Sequence, residues 1–62
     1  MIQCSLSDLI QLSEIIKAEK KITEKYEKYS KTATDPQLRE KLQKCAATHR
    51  NHYSLLESYI EA

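Results

Sequence analysis

Thr32-Ala33-Thr34-Asp35-Pro36 is the stretch that decides the fold, because it interrupts two long helical patterns near the middle of a 62-residue sequence. A proline disfavours helical backbone in the residue before it, so a first helix must end by about Thr34. Asp35 is then suited to cap a second helix. Pro36 suits the first helical position, where its missing N–H costs nothing. The stretch predicts two helices joined by a short turn.

The residues before this turn follow a helical pattern. Ser5 can cap a helix and Asp8 can return the hydrogen bond, while Cys4 and Leu9 can form a hydrophobic staple. Steps that alternate between three and four residues then place one stripe on a single helix face. The stripe consists of Leu12, Ile15, Glu19, Ile22, Tyr26, Tyr29 and Ala33, with Leu9 and Ile16 widening it near its start. Glu19 is the only charged residue in this stripe.

The residues after the turn carry a second stripe with the same steps. It consists of Leu38, Leu42, Cys45, His49, His52, Leu56 and Tyr59, and Ala46, Tyr53 and Ile60 broaden it on one side. Two amphipathic helices of equal length and a short turn favour an antiparallel hairpin. We therefore predict an all-α chain with a single domain over residues 1–62. Its expected elements are helix 1 at about 6–33, a turn at about 34–35 and helix 2 at about 36–61.

A hairpin of this size has little interior, so we expect it to associate with a second copy. Two hairpins related by a two-fold axis would form a four-helix bundle that buries both stripes. The residues expected in this dimer core are Leu12, Ile15, Ile16, Ile22, Tyr26, Leu42, Cys45, Tyr53 and Leu56.

Composition supports helices and excludes several functions. The chain has no Gly and one Pro, and its charge is +1, with 10 basic and 9 acidic residues interspersed. Six lysines give helix 1 a basic outer face, on which Glu24–Lys28 and Glu27–Lys31 are spaced to form ion pairs. A nucleic-acid binder would need a more lopsided basic surface, and no apolar run is long enough to cross a membrane. The first residues lack the pattern of a signal peptide, so we expect a cytoplasmic protein with reduced cysteines.

The antiparallel register brings three polar residues of the two stripes together. Glu19 lies 15 residues before Thr34 and His49 lies 15 after it, so the two should face each other, with His52 one turn further toward the open end. Carboxylate and imidazole groups are ligands for Fe, Mn or Zn, and a dimer would hold two carboxylates and four imidazoles. The alternative is a buried hydrogen-bonded or ionic pair between Glu19 and His49 that fixes register and partner without any metal.

The run from Glu19 to Tyr26, the spacing of Tyr26 and Tyr29, the Asp35-Pro36-Gln37-Leu38 turn and the late His52 resemble the ferritin-like helical hairpins of the spore coat protein F (CotF-like) group. The resemblance covers roughly residues 15–60 and implies a ferritin-like bundle, a place in the spore and other spore coat proteins as partners. Ferritin-like proteins bind di-iron through a Glu on one helix and Glu-x-x-His on the next. Glu19 and His52 match this pattern. His49 occupies the position of the second Glu, which argues against a carboxylate-bridged di-iron centre.

Three classes of function follow. The first is a structural or interaction protein, a dimeric bundle associated with the spore coat. The second is a metal-binding ferritin-like protein that uses Glu19, His49 and His52, and the third is a small regulatory adaptor. No nucleophile with a base, no glycine-rich phosphate loop and no Cys-x-x-Cys pair is present, which favours a protein without catalytic activity.

Overall fold

The computed structural model describes residues 5–61, which form two α-helices packed against each other as an antiparallel hairpin. Helix α1 spans Leu6–Thr32 and helix α2 spans Pro36–Glu61. The hairpin measures 46 × 16 × 11 Å, so it is one helix layer thick. The prediction of an all-α hairpin is confirmed, with α1 ending one residue earlier than expected.

Helix α1 begins with the capping box that the sequence indicates. The Ser5 hydroxyl accepts a hydrogen bond from the Asp8 backbone N–H at 3.1 Å, and the Asp8 carboxylate accepts one from the Ser5 backbone N–H at 3.2 Å. These two bonds satisfy donors that a helix N-terminus otherwise leaves free. The Cys4 half of the expected staple lies outside the described residues.

The turn between the helices is held by the side chains of Asp35 and Arg39. The Asp35 carboxylate accepts a hydrogen bond from the Leu38 backbone N–H at 3.1 Å, which makes Asp35 the N-cap before Pro36. The Arg39 guanidinium donates two bonds to the Ala33 carbonyl, at 3.1 Å from Nε and 2.7 Å from Nη2. One arginine therefore satisfies a carbonyl at the end of α1 and ties it to the first turn of α2.

The seam between the helices is narrow and partly polar. Its buried residues are Ile16, Thr23 and Ser30 on α1 and Ala46 on α2. The Thr23 hydroxyl donates to the Glu19 carbonyl at 2.8 Å and the Ser30 hydroxyl to the Glu27 carbonyl at 2.7 Å. Each hydroxyl is thus satisfied within its own helix, which allows it to be buried without a partner on α2.

The seam runs along one side of the predicted stripe of α1. In the single chain Ile15, Ile22 and Tyr29 of that stripe are exposed, and the residue that follows each of them is buried. The physical reason is that the residues of a helix that face a neighbouring helix can be spaced by four and then three residues as well as by three and then four. The short side chains of Thr23 and Ser30 permit the helices to approach closely on that phase.

The residues predicted for a dimer core therefore divide between the seam and the surface. Ile16 is buried, and Ile15 and Ile22 are exposed. The other members are half-buried, and they are Leu12, Tyr26, Leu42, Cys45, Tyr53 and Leu56. The hairpin leaves much of its apolar surface uncovered.

Ion pairs cross one edge of the seam. Lys20 pairs with Glu57 at 3.3 Å, and Arg50 pairs with Glu27. The expected pairs Glu24–Lys28 and Glu27–Lys31 are not among the ion pairs of residues 5–61, and Glu27 reaches across to α2 instead. Neither helix, over the residues described, is long and apolar enough to cross a membrane.

Candidate metal centre

The middle of the hairpin brings together the three polar residues that the sequence singled out. Glu19 lies near the centre of α1, and His49 and His52 lie one turn apart on α2. His49 is half-buried in the seam, while His52 lies beside it on the exposed side. A separation of three residues on a helix places both imidazoles on the same face.

Both imidazoles approach one carboxylate oxygen. Oε2 of Glu19 lies 2.7 Å from Nδ1 of His49 and 3.5 Å from Nδ1 of His52. One ligand atom from each of the three residues lies within 4.8 Å of the others. The arrangement thus presents one carboxylate oxygen and two imidazole nitrogens around a common point, which is the spacing of a candidate metal site.

The cluster is open on one side. The exposed fraction of the side chain is 20% for Glu19, 25% for His49 and 55% for His52. Glu19 and His49 are therefore half-buried as a pair, and His52 forms an exposed wall of the cluster. Water, or a further ligand, can reach the site from that side.

Tyr26 positions His49. The two rings stack with centroids 5.5 Å apart and an angle of 9° between their planes, and His52 meets His49 edge-on at 5.6 Å. Tyr26 lies seven residues after Glu19, so two turns of α1 place both on the seam. The sequence indicated Tyr26 as a core residue, and the structure adds that its ring holds the imidazole in place.

A shallow groove lies next to the cluster. Its walls are Ile22, Lys25, Tyr26, Tyr29 and His49, so it is largely apolar with one positive charge at its rim. Cys45 lies one turn before His49 and is a half-buried free thiol. Its sulfur is not part of the three-residue cluster.

The electrostatics of the cluster favour an ionised Glu19. The pKa of the Glu19 carboxyl lies below its usual value of 4.5, chiefly because His49 donates a hydrogen bond to it. Loss of contact with water acts in the opposite direction, and electrostatic attraction to His49 and His52 lowers the pKa of Glu19 further. The carboxylate is therefore available as an anionic ligand at neutral pH.

Comparison with protein-family models, curated proteins and solved structures finds no match to this chain. The resemblance to the spore coat protein F group therefore stays a prediction from the quoted residues.

Proposed function

We propose that this chain is a metal-binding helical hairpin, in which Glu19, His49 and His52 together hold one divalent transition-metal ion. The observation that carries the proposal is the convergence of three ligand atoms within 4.8 Å of one another, contributed by both helices. A polar pair that only joins the helices needs Glu19 and His49, whereas a metal site also uses His52. A binding site has to collect such groups from different elements.

The ligand set fits some metals better than others. Two imidazoles and one carboxylate, with open positions left over, suit Zn(II) and non-haem Fe(II). Mn(II) prefers more oxygen ligands and is therefore the weaker candidate. When bound with an open position, such an ion would supply a Lewis acid or, in the case of iron, a redox centre.

The residues present do not fit a carboxylate-bridged pair of ions within one chain. Glu19 is the only carboxylate of the cluster, and His49 stands where the ferritin-like pattern has its second Glu. We therefore propose one ion per chain. The Tyr26 ring would restrict rotation of His49, and ionised Glu19 would provide the negative charge that offsets the ion.

The test is a metal titration of the full chain, followed by calorimetry and by elemental analysis after gel filtration. Zn(II) is added in one series, and Fe(II) is added without oxygen in another. We expect about one ion per chain, and an affinity at least about 100-fold lower in His49→Gln and in Glu19→Gln, because ligand loss exceeds the effect of losing a supporting residue. Glu57→Gln is the matched control, since Glu57 is a carboxylate that bridges the helices at the opposite edge.

Two outcomes would count against this function. The first is that neither metal binds at a defined stoichiometry. The second is that the metal remains bound in His49→Gln and Glu19→Gln as tightly as in Glu57→Gln, which would mean that it occupies other residues.

A second candidate is a structural or interaction protein, such as a component of the spore coat, in which the same cluster serves the fold alone. The specific observation in its favour is the 2.7 Å contact between Glu19 and His49, which joins the helices with no metal required. The double variant Glu19→Leu with His49→Leu distinguishes the two. On the structural interpretation it is as stable as the parent or more so, because polar pairs on a seam can be replaced by apolar residues.

A further inference from the structure

One side of the hairpin is apolar and has no cover in a single chain. Its members are seven residues apart along each helix, so they form one stripe on each helix, which drifts by about 20° every seven residues. They are Ile15, Ile22 and Tyr29 on α1 and Leu38, Cys45, His52 and Tyr59 on α2, and we call them together the open face. Its five large apolar side chains are between 36% and 54% exposed. Surface of this kind, contiguous along both helices, marks an interaction site.

The two stripes lie on the same side of the hairpin. On each helix the stripe is about 100° from the buried seam residues in one sense, while Glu27 and Arg50 are about 40° from them in the other. That ion pair closes the opposite edge. His52 belongs to the stripe of α2, and its Nδ1 lies 3.5 Å from the carboxylate of Glu19 on α1. The open face is therefore continuous across both helices.

The whole chain exposes more surface than a compact monomer of its mass is expected to expose. The chain exposes 4985 Å². A compact monomer of its mass, 7.2 kDa, is expected to expose about 4100 Å², which leaves an excess of roughly 900 Å². Each partner in a stable complex buries about 800 Å². One additional copy of similar size is thus sufficient to cover the excess.

The charges of the open face suit a second copy. In a two-fold dimer the same surface patch of both copies is in contact, so the patch must contain both acidic and basic groups for the charges to match. The open face is bordered by one acidic group, Glu19, and contains one basic group, His52, close together midway along the hairpin. Lys25 lies at its rim. The opposite edge carries the Lys20–Glu57 and Arg50–Glu27 pairs and has its charges already satisfied.

We propose that a second copy of this chain covers the open face, and that the two hairpins form a four-helix bundle. The shallow groove of Ile22, Tyr26, Tyr29 and His49 then receives apolar side chains of the other copy. This inference does not depend on metal binding, since it is carried by area, polarity and charge. A different helical protein or an amphiphilic small molecule on the same face is the alternative that the test must separate.

The test is the association state of the full chain by sedimentation equilibrium, from about 1 µM to about 200 µM, with a chelator and again with Zn(II). We expect a species of twice the chain mass of 7.2 kDa at the upper concentrations in both conditions. Ile15→Lys places a charge in the open face. We expect it to weaken dimerisation at least about ten-fold, because a buried lysine without a partner is costly.

Ile10→Lys is a closely matched control. Ile10 is the same residue type on the same helix and is 52% exposed, against 51% for Ile15. It lies about 140° away around the helix, outside the open face. We expect Ile10→Lys to change the dimer constant less than about two-fold, since rim and remote charges contribute little. If Ile15→Lys loses helicity, Tyr29→Lys takes its place, because Tyr29 is 54% exposed and contributes less to the seam.

A wild-type chain that stays monomeric at the highest concentration in both conditions overturns the proposal and leaves the open face to another partner. A dimer that forms as well in Ile15→Lys or Tyr29→Lys as in Ile10→Lys overturns it too, since the copies then meet elsewhere. The metal titration tests the proposed function independently. A monomer that binds one ion refutes the dimer and supports metal binding. A dimer that binds no ion refutes metal binding and supports the dimer.

Discussion

Ile16→Ala and Ile15→Ala provide a sharp test of which side of α1 faces α2. The two residues are adjacent in sequence, and they differ mainly in burial: Ile16 is 7% exposed and Ile15 is 51% exposed. Each substitution removes the same three carbons. Any difference in the free energy of unfolding therefore reports the environment and not the chemistry of the change.

The expected magnitudes follow from burial. At about 0.8 kcal/mol for each buried methylene, loss of three carbons at Ile16 costs about 2.4 kcal/mol, and the cavity adds to this for a total of roughly 3 kcal/mol. Ile15 is already about half exposed in a single hairpin, so Ile15→Ala should cost only about 1 kcal/mol there. A chain of this length has a total stability of only about 3–9 kcal/mol, so Ile16→Ala should remove at least about a third of it.

The assay is urea unfolding followed by far-ultraviolet circular dichroism at several protein concentrations. The cost of Ile16→Ala should be large at every concentration. The cost of Ile15→Ala should be small at the lowest concentration and rise with concentration, because the open face is covered only in the dimer. If Ile15→Ala costs as much as Ile16→Ala at the lowest concentration, the seam of Ile16, Thr23 and Ser30 is refuted.

Two further predictions concern acid and the turn. The folded-state pKa of Glu19 lies below its unfolded value, so this group stabilises the fold above about pH 4.5 and the contribution is lost as pH falls through the lower folded pKa. Unfolding free energy measured by urea titration should therefore fall more steeply between about pH 5 and pH 3 in the parent than in Glu19→Gln, and equal slopes would contradict the shift. Asp35→Ala should cost about 1 kcal/mol and lower the melting temperature, while Asp35→Asn, which can still cap, should cost much less. Equal losses in these two variants would show that the hydrogen bond from Leu38 to Asp35 contributes nothing.

Features that depend on residues close in sequence could be predicted well. The Ser5–Asp8 capping box and the Asp35-Pro36 start of α2 are encoded within four residues, and both occur as expected. The contact between Glu19 and His49 also follows from sequence. A short turn between two rigid helices fixes which residues of α1 lie opposite which residues of α2. His52 reaches the same carboxylate, which register alone did not require.

The phase of the seam could not be predicted from hydrophobicity. Ile22 and Tyr29 are more apolar than Thr23 and Ser30, and Ile15 is as apolar as Ile16, so a ranking by hydrophobicity does not select the buried residue of each pair. The structure buries Thr23 and Ser30 because each hydroxyl bonds a carbonyl of its own helix. Close approach of two helices favours short side chains, and this preference is a property of the pair of helices that one helix read alone does not show.

The partner of Glu27 illustrates the same limit. Spacing within α1 offers Lys31, whereas the structure gives Arg50 on the other helix. Sequence rules for ion pairs consider neighbours one turn apart. These rules omit residues that come near only in the folded hairpin. A long side chain at the edge of the seam can reach a partner on its own helix or on the other helix.

The seven-residue spacing of the buried residues has a consequence for how this molecule can change in length. Ile16, Thr23 and Ser30 recur at intervals of seven, and so do the members of the open face on each helix. Deletion of one residue rotates all later residues of the helix by about 100° about its axis. The buried residues and the open face beyond the deletion are then no longer aligned with those before it. Loss of seven residues from each helix leaves every remaining side chain within about 20° of its earlier direction, in a hairpin shorter by about 10 Å. The chain is in this respect modular, and whole heptads removed in pairs are the unit in which its length can vary while its surfaces are conserved.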